Sequence, residues 1–551
     1  MDGKRLRVGF REGVFAPALL GSVATFLAFP PVGWSPLVFL GPMAWLLLVQ
    51  RPTLSGQRPY LKVWLAGGVF WLLTLHWIRL PHPLNHLGLF LLAAYLGAYL
   101  PAFVWLARVG VHRLRVPLWF AAPAVWVGLD WVRGHLFSGF LMGSLAHALY
   151  DWPGLIQLSD LTGEYGISFA ILFVAASAFL LFGKGEAYFP RKAWIVPFLP
   201  VAVYIPTSLS PAWVSVHWSP IESPTSRIAL IQGTAPALFS VRAETLEDVL
   251  KQHLELTSQA VEASDEPLDL IVWPECMFPY TYSVLVPGYT PPEGLLDEER
   301  LKQTPEYLTE IAKGADAALL VGVNRFGVRA PHDREATASI AVGSDVYNSS
   351  IMVRPDGEIV GVYDKMHLVP FGEYIPLADW VPGLAGMMPI AGGTQPGKAP
   401  VAMELDGVTY SVNICYESAV PHFIRRQVKT LANEGQRPDV LVNLTNDAWF
   451  KGSSELDMHL ACGVFRAVEN RTPMVIAANG GLSAYISRTG HIVKVTRRQK
   501  PGFLIVDVPV PEERRDPTFY TRHGDWFAGL CLVCCTVFAL VGALKKKGMG
   551  G

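Results

Sequence analysis

Long apolar stretches fill the first part of the chain, and most are close to the ~20 residues that a helix needs to cross a bilayer. We predict seven membrane-spanning helices up to residue 209 and an eighth near the C-terminus. The second is short for a span, so it either tilts little or begins earlier than its apolar run. The predicted spans are 14–30, 36–49, 63–80, 87–107, 117–132, 167–182, 193–209 and 526–544.

Between the seventh and eighth spans, short apolar runs alternate with segments of helical spacing, which is typical of an α/β domain. Pro355-Asp-Gly357 marks a hairpin between two of its strands. We therefore predict a membrane domain at 1–215, an α/β domain at 226–511, and a last helix with a basic tail at 524–551. Predicted strands lie at 227–233, 268–275, 317–326, 439–446 and 474–486, and predicted helices at 244–263 and 457–470.

The composition agrees with this division. Of 551 residues, 51% are hydrophobic and 17% are charged, which is too apolar for an ordinary soluble enzyme and indicates a membrane protein with one soluble part. The formal net charge of −1 gives no bulk field that would attract nucleic acid.

The six cysteines do not suggest a disulfide framework, because three are widely spaced and three lie inside the last apolar stretch. Those three, Cys531, Cys534 and Cys535, have the spacing of a metal or redox motif. Their neighbours are Leu, Val and Phe, with no His or Asp to complete a site, so we predict side chains that pack or face lipid. No phosphate-binding glycine motif appears, and we expect neither a metal nor a cofactor.

Basic residues cluster after every second predicted span and predict the orientation of the chain. The clusters at 51–62, 108–115, 184–192 and 545–547 all fall on one side of the membrane. By the positive-inside rule that side is cytoplasmic, together with both termini, so we expect the α/β domain to lie outside the inner membrane. Lys4 and Arg5 precede the first span as in a signal peptide, but further spans follow it, and we interpret it as a retained anchor.

A candidate nucleophile lies in residues 411–418, Ser-Val-Asn-Ile-Cys-Tyr-Glu-Ser, where a β-rich run ends on Cys415. A helix can begin at Pro421, so the cysteine is at a strand-to-helix turn. Such a turn exposes a thiol and directs the first backbone N–H groups of the helix towards whatever the sulfur attacks. The same eight residues also fit a small, buried, inert cysteine, and alone they do not decide between the two.

Two further stretches supply what a nucleophilic thiol needs. Residues 268–275, Leu-Asp-Leu-Ile-Val-Trp-Pro-Glu, deliver Glu275 at the end of an apolar strand, and Lys365 follows another strand. A free thiol has a pKa near ~8.5 and is mostly protonated at neutral pH, so it needs a base to take its proton and a cation to hold developing charge. Glu275 can be that base and Lys365 that cation.

These stretches, in this order, resemble the carbon-nitrogen hydrolase, or nitrilase, superfamily with its Glu-Lys-Cys triad. Most of the likeness is carried by Tyr-Asp-Lys-Met-His-Leu-Val-Pro-Phe-Gly-Glu at 363–373 and Ile-Cys-Tyr-Glu at 414–417. Generic members lack a membrane half, whereas residues 131–134 and 153–169 resemble that of a membrane-embedded branch, the apolipoprotein N-acyltransferases.

This resemblance implies a four-layer α-β-β-α sandwich beside the membrane helices. It implies that Glu275, Lys365 and Cys415 carry an acyl group from a phospholipid, through a thioester, to the α-amino group of the diacylglyceryl cysteine of an apolipoprotein. It also implies supporting roles for Glu373, which would orient Lys365 or take part in proton transfer, and for Tyr416, whose backbone N–H would bind an oxyanion.

Several readings stay open. The resemblance leaves Glu417 as either a capping or a gating residue. Asp130 and Arg133, at the edge of the fifth predicted span, either bind a lipid head group or pair with each other. A membrane-anchored amidase would use the same triad with water as the acceptor. A transporter would need ionisable residues along a path through the spans, and apart from His76 and Asp130 few are present.

Overall fold

The computed structural model describes residues 13–182, 224–237, 243–290, 298–329, 343–375, 393–510 and 516–544. These residues divide into two compact units. The helical unit contains residues 13–182, Ser453–Glu469 and 518–544, and the sandwich unit contains the described residues of 224–452 and 470–517. The domain boundaries predicted from the sequence stay a prediction.

The helices and strands are numbered here in chain order. The described α-helices are α1 (Phe15–Phe26), α2 (Leu37–Gln50), α3 (Pro59–Thr74), α4 (Asn85–Gly97), α5 (Tyr99–Arg113), α6 (Leu118–His135), α7 (Ser159–Thr162), α8 (Glu164–Phe182), α9 (Ala243–Ala263), α10 (Glu298–Ala315), α11 (Pro421–Asn433), α12 (Glu455–Asn470), α13 (Phe519–His523) and α14 (Trp526–Leu544). The described strands are β1 (Thr225–Gln232), β2 (Leu270–Val272), β3 (Tyr282–Leu285), β4 (Ala318–Arg329), β5 (Gly343–Val353), β6 (Ile359–Asp364), β7 (Ala402–Leu405), β8 (Val408–Ile414), β9 (Val440–Asn446), β10 (Met474–Asn479), β11 (Ala484–Ile486), β12 (Ile492–Val495) and β13 (Gly502–Pro509).

Three helices among the described residues are long and apolar enough to cross a membrane: Asn85–Arg113, Glu164–Leu181 and Trp526–Leu544. They coincide with the fourth, sixth and eighth predicted spans. At the first and second predicted spans, α1 and α2 are apolar but have only 12 and 14 residues. The predicted number of eight spans is therefore not confirmed, and the seventh, at 193–209, lies outside the described residues.

Polar groups within the helical unit are used for packing. Arg133 Nη2 lies 2.9 Å from Asp130 Oδ1, and its Nη1 donates to the carbonyl oxygens of Phe140 and Met142. Of the two readings of this pair, the structure favours mutual pairing. The tail cysteines also pack, because the Cys535 Sγ lies 3.5 Å from the carbonyl oxygen of Val125 on α6.

The helical unit also encloses a cluster of four ionisable side chains. Arg466 on α12 lies between two carboxylates, with Nη2 at 2.6 Å from Glu164 Oε2 and Nε at 2.9 Å from Glu469 Oε2. His147 Nε2 lies 3.2 Å from Glu164 Oε2, and the backbone N–H of Glu164 donates to Glu469 Oε1 at 3.0 Å. We call these four residues the Arg466 cluster.

Two β-sheets form the sandwich unit. The first has the strand order β13-β1-β2-β4-β5-β6, with β3 beside β4, and the second has the order β12-β11-β10-β9-β8-β7. The centres of both sheets are parallel: β1, β2 and β4 in one, and β8, β9 and β10 in the other. Because the carboxyl ends of parallel strands lie along one edge of a sheet, residues that follow β2, β8 and β9 are brought to that edge.

One apolar core joins the two sheets and contains Leu230 and Val272 from the first and Val412 and Val442 from the second. Helices α9 and α10 cover the outer face of the first sheet. Beside the second sheet, Gln427 of α11 donates from its Nε2 to the Val412 carbonyl oxygen at 2.6 Å. These layers agree with the predicted α-β-β-α sandwich.

Most strands and helices predicted for this unit are confirmed, including the hairpin between β5 and β6. The single strand predicted at 474–486 is wrong. It is two antiparallel strands, β10 and β11, separated by a turn in which Gly480 has a φ of 66°, a left-handed conformation that glycine adopts without steric cost.

Candidate active site

Glu275 follows the end of β2, where the backbone still pairs with β4 through the Trp273 N–H and the Leu320 carbonyl oxygen at 2.9 Å. Its carboxylate is buried, and Oε2 accepts the backbone N–H of Asn446 at 3.0 Å. The close approach of β4 depends on Gly322, since a Cβ there would lie 2.6 Å from the Glu275 Cα. Backbone packing therefore positions this carboxylate before any side-chain contact is made.

Lys365 follows the last residue of β6, and its backbone N–H donates to the Asn348 carbonyl oxygen at 2.8 Å. Its Nζ lies 3.3 Å from Glu275 Oε1 and 3.0 Å from Glu373 Oε1. Burial alone lowers the pKa of Lys365, but the two carboxylates outweigh burial and hold the pKa well above its ordinary value. The two carboxylates therefore favour the charged form of the lysine.

Glu373 is held by the turn that carries it. Its Oε2 accepts the backbone N–H of Val369 at 2.9 Å, and its own N–H donates to the Val369 carbonyl oxygen at 2.9 Å. The other oxygen, Oε1, faces Lys365. The structure thus brings Glu373 against the lysine, as the resemblance implied.

Asn348 on β5 connects the two carboxylates and was not foreseen from the sequence. Its Nδ2 donates to Glu275 Oε1 at 2.7 Å and to Glu373 Oε1 at 2.9 Å. An asparagine inside a strand carries no local signature of such a role. The predicted hairpin could have indicated this residue, because it pairs β5 with β6, the strand that ends just before Lys365.

Cys415 is the first residue after β8, at the start of a 3-10 turn that precedes α11. Its φ of 54° is in the left-handed region, which costs a non-glycine residue of order 1 kcal/mol or more. The Asn443 Nδ2 and the Ser418 Oγ each donate to its carbonyl oxygen at 3.2 Å, which helps hold the turn. The predicted strand-to-helix turn is confirmed.

Burial and nearby charges act on the Cys415 thiol. Burial raises its pKa most, and the negative charge of Glu275 raises it further, while Lys365 lowers it. The pKa of Cys415 consequently lies well above its ordinary value. The resting side chain is therefore a neutral thiol, and it can become a nucleophile only by giving its proton to a base.

Glu417 is fully buried and accepts hydrogen bonds from the two segments that carry Lys365 and Cys415. It accepts the backbone N–H groups of Met366 at 2.7 Å, His367 at 2.9 Å and Ile414 at 2.7 Å, and the hydroxyl of Tyr363 at 2.8 and 2.9 Å. Burial raises its pKa to about 7, although these donors favour the charged form. The contact with Ile414 caps the start of the 3-10 turn, which supports the capping role, and the contacts together tie the segment after Lys365 to the segment before Cys415.

Tyr416 follows the candidate nucleophile and is half-buried, with its ring centroid 6.1 Å from that of His367. The oxyanion role of its backbone N–H stays a prediction. Of the six residues singled out from the sequence, the structure brings Glu275 and Glu373 into direct contact with Lys365, and the charges of Glu275 and Lys365 act on Cys415.

The chain was compared with known proteins. Residues 21–177 match the family described as apolipoprotein N-acyltransferase N-terminal domain, and residues 227–517 match the carbon-nitrogen hydrolase family. A Rhodopirellula baltica protein named apolipoprotein N-acyltransferase is 30% identical over 545 residues, which cover 92% of this chain and 93% of the relative. The chain belongs to the apolipoprotein N-acyltransferase family.

A second relative supports this assignment. A Geobacter metallireducens protein of the same name is 30% identical over 567 residues and covers 99% of both chains. Among solved structures, an amidase from Nesterenkonia sp. is 19% identical, covers 56% of this chain and 97% of its own, and has a TM-score of 0.36.

Proposed function

We propose that this membrane enzyme transfers a fatty acyl group from a phospholipid, through a thioester on Cys415, to the α-amino group of the diacylglyceryl cysteine of an apolipoprotein. One observation carries the proposal. A buried cation, Lys365, contacts Glu275 beside a thiol that is kept neutral at the end of a strand. Family membership supports the acyl transfer and the nature of the acceptor.

In the first half-reaction Glu275 takes the proton of Cys415, and the sulfur attacks the ester carbonyl carbon of the phospholipid. Lys365 and the backbone N–H of Tyr416 stabilise the negative oxygen of the tetrahedral intermediate. The carbon–oxygen ester bond then breaks, Glu275 returns the proton to the departing lysophospholipid oxygen, and a thioester remains.

In the second half-reaction the amine of the acceptor attacks the thioester, the carbon–sulfur bond breaks, and the amine proton returns to the cysteine through Glu275. An α-amino group has a pKa of about 7.7–8.0, so a useful fraction is neutral and nucleophilic at physiological pH. A lysine side chain is mostly charged there, which favours acylation of the N-terminus.

Glu373, Asn348 and Glu417 support these steps without forming bonds to the acyl group. Glu373 and Asn348 contact the proposed base or cation directly. Glu417 holds the segments that carry Lys365 and Cys415. In this proposal the enzyme needs neither a metal nor a cofactor.

The decisive experiment uses purified full-length enzyme mixed with phospholipid. We expect Cys415 to gain the mass of one acyl chain, and Cys415→Ala, which leaves the fold intact, to gain none. A peptide with an N-terminal diacylglyceryl cysteine should discharge the adduct and become acylated on its α-nitrogen, whereas an N-acetylated peptide should leave the adduct in place. Release of free fatty acid or turnover of small amides, with no acyl peptide, would establish the amidase alternative instead.

We also propose that both termini are cytoplasmic and that the segment 226–511 lies outside a bacterial inner membrane. The basic residues at 51–62 and 108–115 support this orientation. A membrane-impermeant thiol reagent should label Asp265→Cys from outside and Gln57→Cys only after the cytoplasmic side is opened, with the unsubstituted enzyme as the background control. The opposite labelling would overturn the orientation.

A further inference from the structure

Cys276 occupies the position after the proposed base and has no part in the mechanism above. It is half-buried, and its φ of 56° is in the left-handed region, which a side chain beyond Cβ rarely adopts. Its Sγ lies 3.6 Å from the Asn348 Oδ1 and 3.7 Å from the Asn324 Oδ1. Both neighbours are amide oxygens, which can only accept hydrogen bonds, so the thiol is the donor.

The two amides are paired across neighbouring strands, since Asn324 on β4 is opposite Asn348 on β5. Asn348 has a fixed task for its Nδ2, which donates to Glu275 and to Glu373. Its Oδ1 must then point away from both carboxylates. In the structure it points towards Cys276, whose S–H is a donor at that place.

The local charge supports a protonated sulfur. Burial raises the pKa of Cys276 most, and Glu275 raises it further, while Lys365 opposes them. A thiolate at this position would repel the amide oxygen and both carboxylates. Burial and the neighbouring carboxylates thus favour the protonated sulfur, which can donate a hydrogen bond.

We propose that Cys276 is a positioning residue, whose S–H fixes the Asn348 amide in the orientation that donates to Glu275 and Glu373. Without this donor the amide can rotate and present its oxygen to the carboxylates. This proposal rests on the proposed function, because it assigns Cys276 a part in preparing the base of that reaction.

The test compares Cys276→Ala with Cys276→Ser, two side chains of similar size of which only serine keeps a donor. Single-turnover acylation of Cys415 by phospholipid is measured as a function of pH. We expect alanine to lower the rate about three- to tenfold, the worth of one modest hydrogen bond. Alanine should also change the pH profile of acylation, because the Asn348 amide no longer holds its donor towards Glu275 and Glu373. Serine should restore both.

Asn324→Ala is the matched control, because it removes the other acceptor of the thiol at an exposed position. We expect it to leave the acylation rate and profile unchanged. Equal slowing by alanine and serine at position 276 would mean that the sulfur only fills space, and slowing by Asn324→Ala would mean that it acts through the other amide. Unchanged kinetics in Cys276→Ala would also overturn the proposal.

The same variants are followed by alkylation of Cys415 with iodoacetamide, which needs no acyl donor. If the unsubstituted enzyme forms no acyl adduct, the proposed function fails. The positioning proposal is then still decided by whether Cys276→Ala, and not Cys276→Ser, changes the pH profile of alkylation. Melting temperatures in detergent check that each variant is folded.

Discussion

Two regions of the molecule contain nearly the same ionisable side chains and arrange them in different surroundings. In the sandwich unit Lys365 lies between Glu275 and Glu373, and in the helical unit Arg466 lies between Glu164 and Glu469. Each basic group has one carboxyl group within 3.0 Å or less and a second within 3.3 Å. The number and kind of ionisable groups therefore do not decide what each cluster does.

The difference is in access and in the neighbouring side chain. The Arg466 cluster is sealed, with side-chain exposures of 2% or less, whereas Glu373 beside Lys365 is 16% exposed. The Lys365 cluster also acts on a thiol, while Arg466 bridges α8 and α12, two segments far apart in the chain. The attraction within a buried ion pair seldom exceeds the free energy needed to remove both charges from water. We therefore interpret each cluster by the segments and side chains that it positions.

The largest effect is expected when the basic residue of each cluster is replaced, because one variant should lose activity and the other should lose stability. We expect Lys365→Met to reduce acyl transfer by about 10²–10³-fold or more, because no cation remains for the oxyanion. Arg466→Met should leave turnover per folded molecule nearly unchanged. It should lower the melting temperature strongly, because removing one partner of a buried pair costs about 3–5 kcal/mol.

Both variants are assayed for acyl transfer and for thermal melting in the same detergent. If Arg466→Met lowers turnover per folded molecule as far as Lys365→Met does, the division into a chemical and a structural cluster is wrong.

An intermediate effect concerns the state of the thiol. Because the pKa of Cys415 is raised, its alkylation rate should continue to increase with pH beyond the range in which an ordinary thiol levels off. Glu275→Gln removes a negative charge and should lower this pKa, so that alkylation below the plateau becomes faster, about tenfold for a shift of one pH unit.

Peptide mass spectrometry separates Cys415 from the other five cysteines. Glu469→Gln, in the other cluster, is the control and should change nothing. An alkylation profile that levels off near pH 8 in the unsubstituted enzyme would contradict the neutral resting thiol.

The smallest effect tests the sealed cluster. Burial raises the pKa of Glu469 to about 8, so the folded protein keeps a proton that the unfolded chain releases above its ordinary value of 4.5. This proton contributes stability at low pH, and the contribution is lost as the pH rises towards 8. We expect the melting temperature to fall between pH 5 and pH 8 by about 1–3 °C more than in Glu469→Gln, which cannot release that proton. If the melting temperature falls equally with pH in the unsubstituted enzyme and in Glu469→Gln, the proton is not held by Glu469.

Local pattern was enough for the elements that present the candidate site. The β-rich run before Cys415 and the helix after it predicted the turn that is observed, and the apolar run before Glu275 predicted β2. These signals are local because a strand end and a helix start depend on neighbouring residues.

Local pattern could not predict interactions between distant residues, and the family resemblance supplied only those of its known motifs. Asn348 contacts Glu275, which is 73 residues away in the sequence. The residues around Asn348 in β5 do not predict that contact. The amphipathic pattern of α12 predicted a helix. An apolar face does not identify the segment that it packs against, so the pattern did not reveal that residues Ser453–Glu469 belong to the helical unit. The third predicted span extends past the end of its helix, because α3 ends at Thr74 while apolar residues continue into a 3-10 turn.

The pairing of Arg466 with Glu164 has a consequence for synthesis. The arginine is 302 residues further along the chain, and a bacterial ribosome adding roughly 5–20 residues per second needs about 15–60 s to reach it. In the proposed topology, α8 enters the bilayer during that interval, before Arg466 is available to the glutamate at its start. A chaperone that shields this carboxylate during insertion, or a proton bound to it until α12 has been synthesised, would keep the partly synthesised chain from aggregating.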